Sequence, residues 1–247
     1  MPNSNHAVIV GGTKGLGRLM VQRFLDRGYH VTVLSRSAPA DMSNSRLHHF
    51  TLDLETLTQA DDLAEQVVTS VGPVQYLLFC QRYRGNQDAW QGEMQVSLTA
   101  TQLLIKAFSS HFGSNQDNAI GIASSVYANF VGGSQPVSYH VAKAGLNQLV
   151  KYYAVTLGPH GVRINSIMPL TYLKPESRDF YMGNKELIDL YARFVPLKRL
   201  GDVEDSANLL DFLCSEKAAF INGQHIFVDG GVSVVWPEAV ARDLAQV

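Results

Sequence analysis

Short unbroken apolar runs alternate along this chain with segments in which apolar residues recur every three to four positions. The runs His6 to Val10, His30 to Ser35, Leu47 to Leu52, Tyr76 to Cys80, Ala119 to Ser124, Arg163 to Met168 and His225 to Val228 predict seven strands. They are mostly continuous rather than alternating, as expected of parallel strands buried on both faces. Between them, helical periodicity covers Leu16 to Arg27, Leu57 to Ser70, Gly92 to Phe112, Ser138 to Leu157 and Val203 to Ser215. In the fourth helix, Leu146, Leu149, Val150, Tyr153 and Leu157 fall on one face. Seven strands with intervening helices predict an α/β fold: one domain over residues 1–247 with a doubly wound, seven-stranded parallel sheet. Right-handed crossovers then place ligands beyond the carboxyl ends of the strands. Pro169 to Gly201 breaks the alternation, being richer in Tyr, Pro and charge, and residues 170–201 are expected to form a substrate lid.

Composition narrows the functional classes. The chain has 247 residues, 46% hydrophobic and 17% charged, with Lys+Arg 20 against Asp+Glu 22. That near-neutral balance lacks the electrostatic footprint of a nucleic-acid binder. The two cysteines, Cys80 and Cys214, cannot build a disulfide framework, which favours a reducing, cytoplasmic setting. The histidines are scattered, and His48-His49 lacks ligand spacing, so no metal is expected. Apolar runs stop at about five residues where a membrane span needs roughly 20, and Met1 to Asn5 has neither the basic nor the apolar region of a signal peptide.

Candidate chemistry begins where the first strand runs into Val10-Gly11-Gly12-Thr13-Lys14-Gly15-Leu16-Gly17 at the start of the first helix. Glycines permit a tight turn and close backbone approach to a pyrophosphate, whose charge meets the free N–H groups and positive dipole end of the helix. The second strand ends in Leu34-Ser35-Arg36-Ser37, without the Asp or Glu that would hold a ribose 2′-hydroxyl. Arg36, helped by Lys14, can pair with a 2′-phosphate instead, which favours NADP(H); two solvated surface cations are the plainer reading. Asp53, after the third strand, suits an adenine amino group or a simple helix N-cap.

A second constellation lies at the fifth strand, which ends in Ser124-Ser125, and the helix after it, where Tyr139 and Lys143 stand one turn apart. The spacing Tyr-x-x-x-Lys occurs again at Tyr181 and Lys185, so position distinguishes the pairs: only Tyr139 follows a strand that delivers a hydroxyl to the carboxyl edge. A phenol is a poor acid at neutral pH unless a neighbour stabilises its anion, and the Lys143 ammonium can do so.

With these residues in place, the chain resembles the short-chain dehydrogenase/reductase (SDR) family over nearly its whole length. The matching pieces are Gly11-x-x-x-Gly15-x-Gly17, Ser125 with Tyr139-x-x-x-Lys143, Val162 to Pro169, and Asn222 to Gly231. The resemblance implies a Rossmann-like fold, Tyr139 as proton donor to a carbonyl, Ser125 polarising its oxygen, and Lys143 binding the nicotinamide ribose while lowering the Tyr139 pKa. It extends the cofactor set to Thr13, Leu16, Leu54, Cys80, Pro169 and Thr171. It also implies a homodimer or homotetramer built on the helices Gly92 to Phe112 and Ser138 to Leu157. The apolar arc of Leu98, Leu104, Ile105 and Phe108 is wider than one sheet contact needs, which agrees with such a face.

The chain also departs from the family pattern. Phe79-Cys80-Gln81-Arg82 stands where the family carries Asn-Asn-Ala-Gly, Ser97 replaces the catalytic Asn, and Leu170 replaces Gly. A nicotinamide-contacting Thr is replaced near Leu173-Lys174, and Tyr83 to Gln91 is shorter than usual. Ser97 can still bond a water but offers no amide. The leading expectation is an NADPH-dependent reductase or dehydrogenase acting on a small carbonyl or alcohol. The alternatives are a catalytically degenerate NADP(H)-binding protein with a sensing or assembly role, and an SDR that reduces a ring double bond or isomerises it. Tyr127, Phe130, Tyr172, Phe180, Tyr181 and Met182 suggest either an aromatic pocket or lid packing.

Overall fold

The computed structural model describes residues 5–40, 42–85, 88–114, 117–173, 176 and 178–245. The chain begins β1 (His6–Val10), α1 (Gly15–Asp26), β2 (His30–Ser35), β3 (Leu47–Thr51), α2 (Asp61–Val71) and β4 (Tyr76–Phe79). Next, α3 (Ala89–Glu93) passes through a π-helical stretch, Met94–Thr99, into α4 (Ala100–Phe108), followed by β5 (Asn118–Ala123), α5 (Val137–Leu157) and β6 (Val162–Pro169). The remainder comprises β7 (Tyr172–Leu173), α6 (Arg178–Met182), α7 (Lys185–Phe194), β8 (Gly201–Asp202), α8 (Val203–Leu213), β9 (His225–Val228) and α9 (Pro237–Ala245).

Seven strands form one parallel sheet in the order β3-β2-β1-β4-β5-β6-β9. The continuous apolar runs now have their reason. Along β1, Val8 and Val10 face the layer holding α2, α4 and α5, where Leu104, Phe108, Leu146 and Val150 pack. Ala7 and Ile9 face the layer holding α1 and α8, with Met20, Phe24, Leu210 and Leu213. Both faces are covered, so both parities of the strand are apolar from Ala7 to Val10. The strand order reverses between β1 and β4, and that switch point opens a crevice at the carboxyl ends of the strands.

Three expectations need correction. The stretch Pro169 to Gly201, expected to be irregular, holds α6 and α7, and its β7 pairs in parallel with β8 as a separate two-stranded sheet. Asn184 caps α7 by accepting from the Leu187 N–H at 3.0 Å. The helix expected from Gly92 starts at Ala89 because the Asp88 carboxylate accepts from the N–H groups of Trp90 and Gln91, and it ends at Phe108 rather than Phe112. Leu104, Ile105 and Phe108 are fully buried inside the chain, so the wide apolar arc that suggested a self-association face is core. The free apolar residues lie instead on α5, where Val137, Val141, Tyr152 and Val155 are exposed.

Candidate active site

The β1–α1 turn is shaped by contacts that exclude side chains. Gly11 has φ +81°, and a Cβ there would stand 2.9 Å from the Gln81 backbone; one on Gly17 would stand 2.2 Å from the Gly11 carbonyl oxygen. This closeness draws α1 under the turn and aims its first N–H groups outward. One of them, from Gly15, donates to Glu176 Oε1 at 2.8 Å. A carboxylate oxygen thus lies at the helix terminus, showing that the position accepts an anionic oxygen of the kind a phosphate carries. The turn opens on a cavity of about 340 Å³, and of the expected cofactor set Gly11, Thr13, Lys14, Gly15 and Leu16 line it. Ser35, Arg36, Asp53, Leu54 and Cys80 complete that wall, while Gly17 lies beneath the turn. This shape and donor set fit a dinucleotide.

Two details were not visible in the sequence. Arg36 Nη1 lies 3.4 Å from Glu55 Oε1, an exposed pair two residues past Asp53. Asp53 is no helix cap: its Oδ1 accepts from the Glu55 N–H at 3.0 Å in a local turn, and α2 begins only at Asp61.

A second cavity, about 610 Å³, adjoins the first, with Cys80, Gln81, Arg82, Arg84, Ala123 and Tyr172 lining both. Ser125, Tyr139 and Lys143 share its wall, along with Pro169 and Thr171. β5 carries Ser124 and Ser125 to the carboxyl edge. There the hydroxyl of Ser124 donates to the Lys143 backbone carbonyl, while that of Ser125 accepts from the Tyr127 N–H and faces the cavity. Lys143 is buried; its ammonium donates to the Ala123 carbonyl at 2.9 Å and lies 5.5 Å from the centre of the Tyr139 ring. Burial raises the Tyr139 pKa above that of an ordinary tyrosine. Its interaction with the Ser125 hydroxyl and the charge of Arg82 work in the opposite direction. The Cys80 thiol is pushed up to about 12 by burial, with Lys143 opposing, which makes it a lining group rather than a nucleophile.

Ser97 lies apart from these residues. It is buried in the π-helical stretch, lines neither cavity, and donates to Glu93 Oε2 at 2.7 Å, with Glu93 itself buried. Of the six candidate pocket residues, Tyr127, Phe130, Tyr172 and Tyr181 line the larger cavity, whereas Phe180 and Met182 are exposed. Tyr181 therefore borders the same space as Tyr139 although the Tyr-x-x-x-Lys spacing does not make a second pair there: α6 ends at Met182, and Lys185, at the start of α7, pairs with Asp189. His140 bridges the Pro136 carbonyl and the Gly132 N–H, a structural role. Lys174 lies outside the described residues. Arg82, Arg84, Gln135 and Glu176 line the cavity but were not singled out as site residues; a basic residue straight after a strand's carboxyl end was the one legible signal.

The fold and this site define an oxidoreductase of the short-chain dehydrogenase/reductase family, to which the chain belongs: a family model described as enoyl-(acyl carrier protein) reductase matches residues 10–233. Members of this family bind a nicotinamide cofactor. The chain is 27% identical to isoepoxydon dehydrogenase patN of Penicillium expansum, covering 93% of this chain and 95% of that one. It is 25% identical to a probable 2,4-dienoyl-CoA reductase of Bacillus subtilis, covering 91% and 94%. The fold is similar to that of a short-chain dehydrogenase from Leptospira borgpetersenii solved with bound NAD+, with TM-score 0.79, 21% identity and 93% of each chain covered.

Proposed function

We propose that the protein is an NADPH-dependent reductase of small carbonyl compounds, able to run in reverse as an alcohol dehydrogenase. The observation that carries this reading is the meeting of Ser125, Tyr139 and Lys143 on one wall of a cavity that opens into the nucleotide-shaped one. When bound, the nicotinamide supplies or accepts the hydride. Tyr139 holds the proton given to the carbonyl oxygen, and its burial keeps that proton on the phenol until substrate arrives. Ser125 polarises the same oxygen, and Lys143 provides positive charge beside the ring as phenolate character develops. Gly11, Gly15 and Lys14 take the pyrophosphate end, and Arg36 takes a 2′-phosphate, exchanging Glu55 for it. With Ser97 turned to Glu93, it serves as a support for the helix rather than as a proton relay.

The reading treats residues 1–247 as one catalytic domain with 170–201 as its lid. It takes the molecule to be a cytoplasmic homodimer or homotetramer joined through the exposed face of α5. No helix among the described residues is long and apolar enough to cross a membrane. One second reading has a specific support: the enoyl-reductase description of the family model favours reduction of a carbon–carbon double bond. A screen of ketones, alcohols and conjugated enones for NADPH or NADP+ absorbance change separates the two. Ketone turnover that depends on Tyr139 supports the reductase; turnover of enones alone supports the second reading. NADPH binding with no turnover of any class would remove both and leave a nucleotide-binding protein.

A further inference from the structure

Arg82 stands at the mouth of β4, where the resemblance calls for a residue without a side chain. Its guanidinium carbon lies 5.3 Å from the centre of the Tyr139 ring, and its Nη2 donates to the neutral Gln135 Oε1 at 3.0 Å. These contacts hold the planar fork in place without neutralising it, and Arg82 makes no ion pair among the described residues. The two acids that line the cavity each accept from backbone N–H groups. Asp229 accepts from the N–H groups of Gly231 and Ser233 at 2.9 and 2.7 Å, and Glu176 accepts from that of Gly15 at 2.8 Å. The charge of Arg82 is felt across the cavity: burial raises the pKa values of Tyr139, Tyr172 and Tyr181, and Arg82 opposes the rise at each. A second cation, Arg84, lines the same wall.

The geometry points to Arg82 as the anion-binding group of the substrate subsite, which would hold a carboxylate carried within a few bonds of the carbonyl addressed by Tyr139. The inference rests on the proposed role of Tyr139 and narrows it to short keto acids or the matching hydroxy acids. A guanidinium offers a carboxylate two parallel N–H donors, and one already held by Gln135 and the Tyr139 ring loses little freedom on binding. The span is short because the two recognition groups are themselves in contact.

Because Arg82 lines both cavities, a phosphate of the cofactor is the competing source of the same chemistry. Calorimetric titration of the whole protein with acetoacetate and with methyl acetoacetate, each with and without saturating NADP+, tests the inference. The acid should bind at least about tenfold more tightly than its ester, the ratio should fall below about threefold in Arg82→Gln, and Arg82→Lys should keep an intermediate preference. Equal affinities, no binding of the acid, or a preference that survives Arg82→Gln overturns it. So does a loss of about tenfold or more in NADPH affinity in Arg82→Gln with the acid-to-ester ratio intact, which would assign Arg82 to the cofactor. The reductase reading fails separately: an acid preference that depends on Arg82, in a protein that oxidises no NADPH with acetoacetate, keeps the anion subsite and removes the proposed turnover.

Discussion

At the amino end of the sheet, Arg163 on β6 reaches both carboxylate oxygens of Asp117, just ahead of β5, and also meets the Leu213 and Ser215 carbonyls; Tyr76 donates its hydroxyl to the same carboxylate. Nearby, His6 bonds the Gly72 carbonyl and the Thr32 hydroxyl, and His30 meets His48. At the carboxyl end, Ser125, Tyr139, Lys143 and Arg82 are also brought together, yet each keeps a face on open space. The polar groups named at the amino end bond one another and tie neighbouring strands together. Those at the other end are held by hydrogen bonds and ring contacts on the wall of a cavity that a ligand can enter. Changes at the first end should therefore cost stability, and changes at the second should cost chemistry.

The largest effect is expected at Asp117. Asp117→Ala leaves a buried guanidinium without its counter-charge and removes the acceptor of Tyr76, so chemical denaturation should show a loss of about 3–5 kcal/mol. A loss below about 1 kcal/mol would mean that the amino end is not the structural lock.

Next comes pH. Burial lowers the His6 pKa to about 4, against 6.5 for the free side chain, with the Gly72 carbonyl opposing and the charges of His48 and His30 adding to the fall. Between those values the unfolded chain binds the extra proton and the folded one does not, so stability should fall as pH drops from about 6.5 towards 4 and level off below. At 1.36 kcal/mol per unit the fall amounts to about 3 kcal/mol. Denaturant midpoints across that range should show it, and His6→Gln should flatten most of it. A residual slope is expected from His48, whose pKa burial also lowers. An unchanged slope in the variant would take His6 out of the network.

At the opposite end, Tyr139→Phe keeps the ring and its packing. Turnover on a verified substrate should fall by a factor of about 10² or more while the unfolding free energy moves by less than about 1 kcal/mol. A variant that loses stability but not rate would reverse the roles assigned to the two ends. The smallest effect concerns Arg36, whose exposed pairing with Glu55 is weak. Wild type should prefer NADPH to NADH by at least about tenfold, near 1.4 kcal/mol, and Arg36→Ala should remove most of that preference. Glu55→Gln, by freeing the guanidinium, should raise NADPH affinity a few-fold. Equal affinity of wild type for the two cofactors would sink the assignment.

Much of the frame was legible from residues alone. β1, β2 and β9 have the bounds their apolar runs predicted, because a strand packed between helix layers carries apolar residues at both parities, with the few polar ones, such as His6 and Thr32, bonded to each other. The glycine turn was legible because the φ of Gly11 is a local demand that other residues meet poorly. The helix that carries Tyr139 and the strand that leads into Ser124 and Ser125 could be placed because each follows from its own neighbours in sequence. The helices of the insertion were not legible because α6 and α7 are short and neither has a buried residue to mark an apolar face.

Spacing and periodicity thus determined the order of elements, the parallel sheet and the residues available at its carboxyl edge. Which of those residues meet was decided by packing between elements far apart in the chain. Arg82 reaches Gln135 across 53 positions, Glu176 reaches Gly15 across 161, and Arg36 meets Glu55 across 19. Ser97 is turned away from the cavity, towards Glu93, within a π-helical stretch. A periodicity records what one element needs from its surroundings, whereas a side-chain contact depends on the distance between two elements, which only the folded sheet and its layers set.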